Sequence, residues 1–518
     1  MNYFLSKVKE YNKIVILFGL LLIFSYTFLS FVKSPYTGDI KVFMGVANQV
    51  QYKEGSLALR LFSSWDMKGI ANRFLMYFIY SITNLVSKVY NTDKLLFEYI
   101  SKMIYSLFII IPCVISAFIV KKKNKSGNYV FLCLSLFFSI LFFTTGMPNH
   151  LQSEMSIVII LFLCLFLLYF NTLKTDLLVG FLISTLFFFK SICILMIIPL
   201  FCGCFLLMEN FNKKRLKFIF LSFSISTVLV IVYIILIYPQ EFIDMVEATK
   251  YQSTLLIKGS SYGIDYLYRT FLNNFFQSTL TTPINIVGLI LTIYTTMELF
   301  IKKQYSKISY IVVMLFFTSL IIIISNNYFI YHYYLFAFTS IVMVLLLLRN
   351  FNNYFEVCIG VIISIVIFLF NYILSNEEVS SFSFINFSIY SLSIFFLFII
   401  IIIGFLNYDK KKQFNSFFTI VLSFAFSFVF LNFNSYYSNY SIRERKLEII
   451  ANNSVKNILN FYPEIESAKD TLFLDGGVAA FYINNRSYSK YTYNLPLQRY
   501  RDVSQGEWES NKSELKKY

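Results

Sequence analysis

Residues 177–209 read LLVGFLISTLFFFKSICILMIIPLFCGCFLLME, an apolar run interrupted by Lys190-Ser191. It is too long for one membrane span and too short for two full ones. Read as one tilted helix, it would flip every later loop and put the basic clusters at 213–217, 302–307 and 410–412 on the outer face. Basic loops belong on the cytoplasmic side, so the charge pattern requires a hairpin. Two arms of about fourteen residues reach only ~21 Å, less than the ~30 Å hydrocarbon core. The predicted turn at Lys190 therefore lies below the outer surface, where a lysine needs an anion or a water-filled cavity.

The rest of the chain agrees with a membrane setting. It has 518 residues, 57% of them hydrophobic and only 14% charged, with a mean hydropathy of +0.66. These values describe a polytopic membrane protein. A net charge of +16 would suit a nucleic-acid partner, but the Lys and Arg residues cluster in short loops between spans, so no nucleic acid is expected. All seven cysteines lie in apolar segments. Cys202-Gly203-Cys204 has no histidine beside it and reads as packing. Lys7, Lys9 and Lys13 precede the first apolar run and no small-residue cleavage site follows, which predicts an uncleaved first span with a cytoplasmic N-terminus.

Hydrophobic runs predict about thirteen spans, near 14–33, 96–120, 128–146, 154–171, 177–190, 192–209, 218–238, 283–301, 308–325, 331–349, 355–375, 386–406 and 415–433. The expected fold class is an all-α polytopic membrane domain over 1–433, followed by a small extracytoplasmic α/β module over 434–518. In that module Thr471 to Gly477 reads as a strand entering a glycine turn. Within the first outer loop, 34–95, Ile70 to Tyr80 has the broken apolar face of an interfacial helix. The 34–95 loop, residues 148–154, Lys190, the 239–282 loop, residues 331–334 and the tail all reach the same outer side.

Candidate chemistry follows from that shared side. Asp39 lies just past the first span, between Gly38 and an apolar return at Val42-Phe43-Met44. A shielded carboxylate there suits a general base for a hydroxyl, against the plainer reading of an inert boundary charge. Lys190 would neutralise a phosphate leaving group. Trp65, Lys68 and Arg73 suit a carbohydrate or phosphate contact, or a Trp anchor beside a solvated ion pair. His150 and Glu154, four apart, share a helical face and would position an acceptor or a phosphate. They supply only two metal ligands, and Asp39 would have to be the third. Arg269 could contact a headgroup. His332, in Tyr331-His332-Tyr333-Tyr334, sits in an aromatic belt. Glu241, Asp244 and Glu247 at helical spacing read as a solvated helix face.

Together these features resemble the GT-C fold of polytopic glycosyltransferases that use lipid-linked sugar donors. The resemblance rests on Tyr36-Thr37-Gly38-Asp39 after the first span, on Phe189-Lys190-Ser191 followed by Pro199, and on Gly146 to His150 with Glu154. Trp65 to Arg73 and Leu472 to Pro496 are similar to segments of a bacterial surface-polysaccharide subset. The chain has no acidic pair at Asp39, and no Asp-x-Asp in the second outer loop. That pattern favours a metal-independent polyprenyl-monophosphate donor, with no cofactor. The resemblance implies inverting transfer to a glycan, lipid or protein acceptor at the outer face of the plasma (inner) membrane. Asp39 is then the base, and Lys190, His150 and Arg269 hold the phosphate. Trp65, Lys68, Arg73, Glu154 and His332 contact substrate. The alternatives are a lipid-linked glycan flippase or transporter, and a surface-polysaccharide polymerase or ligase.

Overall fold

A computed structural model describes residues 38–64, 69–90, 94–124, 127–143, 151–208, 213–246, 284–324 and 330–350, with scattered positions between 14 and 36, from 211 to 275 and between 450 and 462. Every regular element among them is helical. They are α1 (Gly38–Tyr52), α2 (Leu57–Phe62), α3 (Ile70–Tyr90), α4 (Lys94–Asn124), α5 (Asn128–Phe143), α6 (Ser153–Phe170), α7 (Leu173–Phe189), α8 (Ile197–Leu207), α9 (Lys213–Ile237), α10 (Ile284–Ile301), α11 (Tyr305–Ile324) and α12 (Phe336–Asn350). Two 3-10 segments, Ser191–Met196 and Ile330–Leu335, lead into α8 and α12. Among the described residues four stretches are long and apolar enough to cross a membrane: Leu96–Lys123, Ser153–Phe170, Lys214–Ile237 and Tyr305–Ile324. The expected spans at 355–375, 386–406 and 415–433 lie outside the described residues, as does the predicted strand and turn of the C-terminal module.

The expected hairpin at 177–209 is present, and packing gives its direction. Lys190 contacts Glu154, near the start of α6. Thirteen residues further on, Gly203 packs against Leu165 of the same helix, so the second arm runs alongside α6. The first arm, α7, also packs on α6, and in register on α9: Asp176 pairs with Arg215, and Gly180 abuts Ile219 and Phe223. Both arms therefore touch α6, and each adds a neighbour of its own, α9 for the first and α11 for the second. Their lengths correct the expectation of short arms. At 1.5 Å per residue the 17-residue α7 spans ~26 Å. The second arm adds six 3-10 residues at ~2.0 Å to eleven α-helical ones, for ~28 Å. Both nearly match a bilayer core, so the enclosure of Lys190 comes from packing and not from a shallow turn. Pro199 accounts for the 3-10 stretch. It sits in the first turn of α8, where its missing N–H costs nothing, but its ring would clash with a helix continuing from residue 195.

Apolar helices gain little from burying surface against one another in lipid, so small residues and interhelical hydrogen bonds set their packing. Gly180 brings α7 onto α9, where an added Cβ would stand 2.4 Å from Ile219 O. Ser222 Oγ donates to Leu177 O at 2.6 Å across the same contact. Gly288 meets Ser340 in the α10–α12 crossing. Helix α6 is enclosed on all sides, whereas α9 leaves Ile225, Val228, Leu229 and Leu236 exposed, as a lipid-facing helix would. Gly180→Leu should force α7 from α9 and lower the thermal midpoint in detergent, at an overpacking cost of at least ~1–3 kcal/mol. Gly180→Ala should fall between it and wild type.

The basic turns share one end of the bundle. Lys123 Nζ donates to Tyr169 O at 2.6 Å, and Arg215 makes a fork with Asp176, from Nε to both carboxylate oxygens at 3.0 Å. Phe205 stacks on Tyr310 at 5.1 Å, placing the α10–α11 turn with its Lys302 and Lys303 near the end of α8. The opposite end holds the start of α6, the break at Lys190 and the 330–335 turn.

A buried lysine cluster as candidate functional site

At that opposite end three expected site residues meet. Lys190 Nζ lies 2.8 Å from Glu154 Oε1 and 3.0 Å from His332 Nε2, and His332 Nε2 lies 3.4 Å from the same Oε1. Relative exposures are 0% for Glu154, 8% for Lys190 and 4% for His332. Each side chain sits where a helix starts or breaks. Glu154 is in the first turn of α6, with Ser153 Oγ donating to its other oxygen at 2.9 Å. Lys190 is the extended residue that ends α7. His332 rides on the 3-10 turn before α12, which is fixed by Asn285 Nδ2 donating to Tyr333 O at 3.2 Å and Tyr333 Oη donating to Phe271 O at 3.1 Å. An ammonium has three donors. Glu154 and His332 take two of them, and no described residue takes the third.

Gly69 reaches the same place. Gly69 N–H donates to Phe189 O at 3.1 Å, satisfying a carbonyl left over at the end of α7, immediately before Lys190. Only glycine fits there, because an added Cβ would lie 1.9 Å from Phe188 O. Trp65 and Lys68 themselves, like His150 and Arg269, lie outside the described residues. For Asp39 the described part is the backbone, in the first turn of α1. Its neighbours Tyr36 and Ile40 are buried.

One expectation changes, and it begins at Arg73. This residue bonds to Leu61 O at 3.0 Å, to Ser64 O and to the Glu241 carboxylate through both terminal nitrogens, and both charges are buried. Glu241 and Asp244 are accordingly not a solvated face. They turn inward at 0% and 1% exposure, while Ile243 and Val246 on the same helical turns face outward. Burial first, and then the charges of Asp244 and Glu241, push the Tyr238 phenol above its ordinary range. Glu247 lies outside the described residues.

The structure also adds Lys102. It is buried, donates to the carbonyl and hydroxyl of Ser34, and lies 5.4 Å from the Tyr36 ring, beside the start of α1. Tyr36 Oη in turn bonds Ser101 Oγ. A lysine within the run 96–120 was a readable signal, since intramembrane charges are rarely idle. Among the described residues no three His, Cys, Asp or Glu side chains converge as a metal site. No family model, curated protein or solved structure matches the chain.

Proposed function

We propose that this protein is a polytopic membrane glycosyltransferase of GT-C type. It moves a sugar from a polyprenyl-phosphate donor to a glycan, lipid or protein acceptor at the extracytoplasmic face. Its membrane domain has about thirteen spans, and an extracytoplasmic α/β module follows from residue 434. The observation that carries the reading is the Lys190 ammonium: enclosed, held by Glu154 and His332, and with a third N–H that no described residue takes. The basic turns at the far end of the bundle orient that site outward under the positive-inside rule.

In the reaction Asp39 removes the proton of an acceptor hydroxyl. The oxygen attacks the anomeric carbon from the face opposite the phosphate, and the carbon–oxygen bond to phosphate breaks with inversion. The bonding pair leaves on the lipid phosphate, where Lys190 stabilises the growing charge. His150 and Arg269 assist in holding that phosphate, and Trp65 and Lys68 contact the sugar. Arg73 serves by tying residues 61–64 to Glu241 beside the site.

A second reading, a carrier for lipid-linked glycans, is favoured by one specific feature. Two 3-10 breaks, 191–196 and 330–335, face each other across a buried charge cluster, as discontinuous helices do around transporter substrates. Mass profiles of lipid-linked and surface glycans from a deletion strain separate the two. Loss of one defined sugar from otherwise normal glycans is expected for the transferase. Accumulation of complete lipid-linked units without surface polymer would replace it with the carrier.

A further inference from the structure

Helices α1 and α3 run parallel, and two hydrogen bonds give their register. Tyr80 Oη donates to Asn48 Oδ1 at 2.8 Å, and Asn84 Nδ2 donates to Gln51 Oε1 at 2.9 Å. The buried Met44 and Met76, one turn earlier, keep the same offset. One further turn back, Asn72 comes level with Ile40, the residue after Asp39. Asn72 is also tied to the break at Lys190. Its N–H donates to Gly69 O at 3.0 Å, and Gly69 N–H donates to Phe189 O at 3.1 Å. It therefore stands between the start of α1 and the residue that ends α7.

The Asn72 side chain is fully buried, and neither Oδ1 nor Nδ2 has a hydrogen-bond partner among the described residues. Along the same interface the amides of Asn48 and Asn84 are both engaged. An enclosed amide left unpaired lowers stability, and an apolar side chain of the same size would avoid that cost. The amide is therefore explained by a ligand and not by the fold. In the displacement described above, the sugar lies between the hydroxyl that Asp39 deprotonates and the phosphate at Lys190, which is where Asn72 stands.

We propose that Asn72 binds the sugar of the donor, its carbonyl accepting from one hydroxyl and its NH2 group donating to another. This rests on the transferase reading above. Asn72 is enclosed, so a sugar reaches it by displacing a neighbour, and Met76, one turn along the same face, is an unbranched and adaptable side chain.

The test compares two probes on the full-length protein in nanodiscs: polyprenyl-phosphate sugar extracted from the native membranes, and undecaprenyl phosphate without sugar. Asn72→Leu, with its fold checked by elution profile, should weaken binding of the sugar-bearing lipid at least about tenfold, as loss of hydrogen bonds to a buried polar group does. Binding of undecaprenyl phosphate should not change. Asn72→Ala carries the same comparison if leucine is not tolerated. Equal losses for the two lipids would make Asn72 a structural residue and overturn the inference, and so would sugar-lipid binding at the wild-type level. Either result leaves the transferase reading in place provided that Lys190→Met weakens both lipids. If Lys190→Met weakens neither, the phosphate site falls and this inference falls with it.

Discussion

Glu154→Leu is expected to destabilise the protein by about 3–5 kcal/mol, because it leaves the Lys190 ammonium enclosed without its carboxylate. Glu154 is fully buried and its partner nearly so, which keeps solvent from screening the loss. The change would be read as a lower thermal midpoint of the detergent-solubilised protein and as a weaker monodisperse peak. Lys190→Met should cost less, since Ser153 Oγ remains on the Glu154 carboxylate. Combining Glu154→Leu with Lys190→Met removes both charges and should recover most of the stability, as replacing a buried ion pair by apolar groups of similar size generally does. A double variant as unstable as Glu154→Leu alone would show that the cluster is held by packing and not by charge.

Asp39→Asn is expected to lower sugar transfer by about 10²–10⁴-fold, the usual contribution of a general base, with little effect on donor binding. Position supports this assignment: Asp39 opens α1, and the neighbouring Tyr36 is anchored to Ser101 beside the buried Lys102. A base acting only in the transition state reduces kcat and kcat/KM together, whereas loss of a binding contact raises KM. Stability should move little, which separates this variant from Glu154→Leu. A rise in KM at unchanged kcat would remove Asp39 from the chemistry and leave it as a contact.

The pattern of basic loops was enough to predict the hairpin at Lys190, because a single span there would have inverted every later turn. It also led Glu154, Lys190 and His332 to one side of the bundle. Their meeting at hydrogen-bond distance was not legible, since it depends on how both arms of the hairpin pack on α6. The arm lengths were misjudged because hydropathy marks neither a 3-10 stretch nor the capped first turn of α7 at Thr172. Glu241 and Asp244 were misread for a different reason. Helical spacing identifies a face but not its direction, and in an apolar surround the charged face turns inward toward a partner such as Arg73, 168 residues earlier. Gly69 and Gly180 act through what they lack, so only backbone approach reveals them. Lys102 is legible in the sequence as a charge inside a predicted span, and its partner Ser34 is not.

The most direct test is transfer by the purified protein in liposomes. Polyprenyl-phosphate sugar, extracted from the native membranes and radiolabelled in the sugar, is supplied with the membrane-derived acceptor fraction, and the label is followed from lipid to product. The expected result is loss of label from the lipid with release of polyprenyl phosphate by wild type, and none above background by Lys190→Met, whose fold is checked by its elution profile. Label that crosses the bilayer still attached to its lipid, or transfer that persists in Lys190→Met, would contradict a glycosyltransferase built on this lysine.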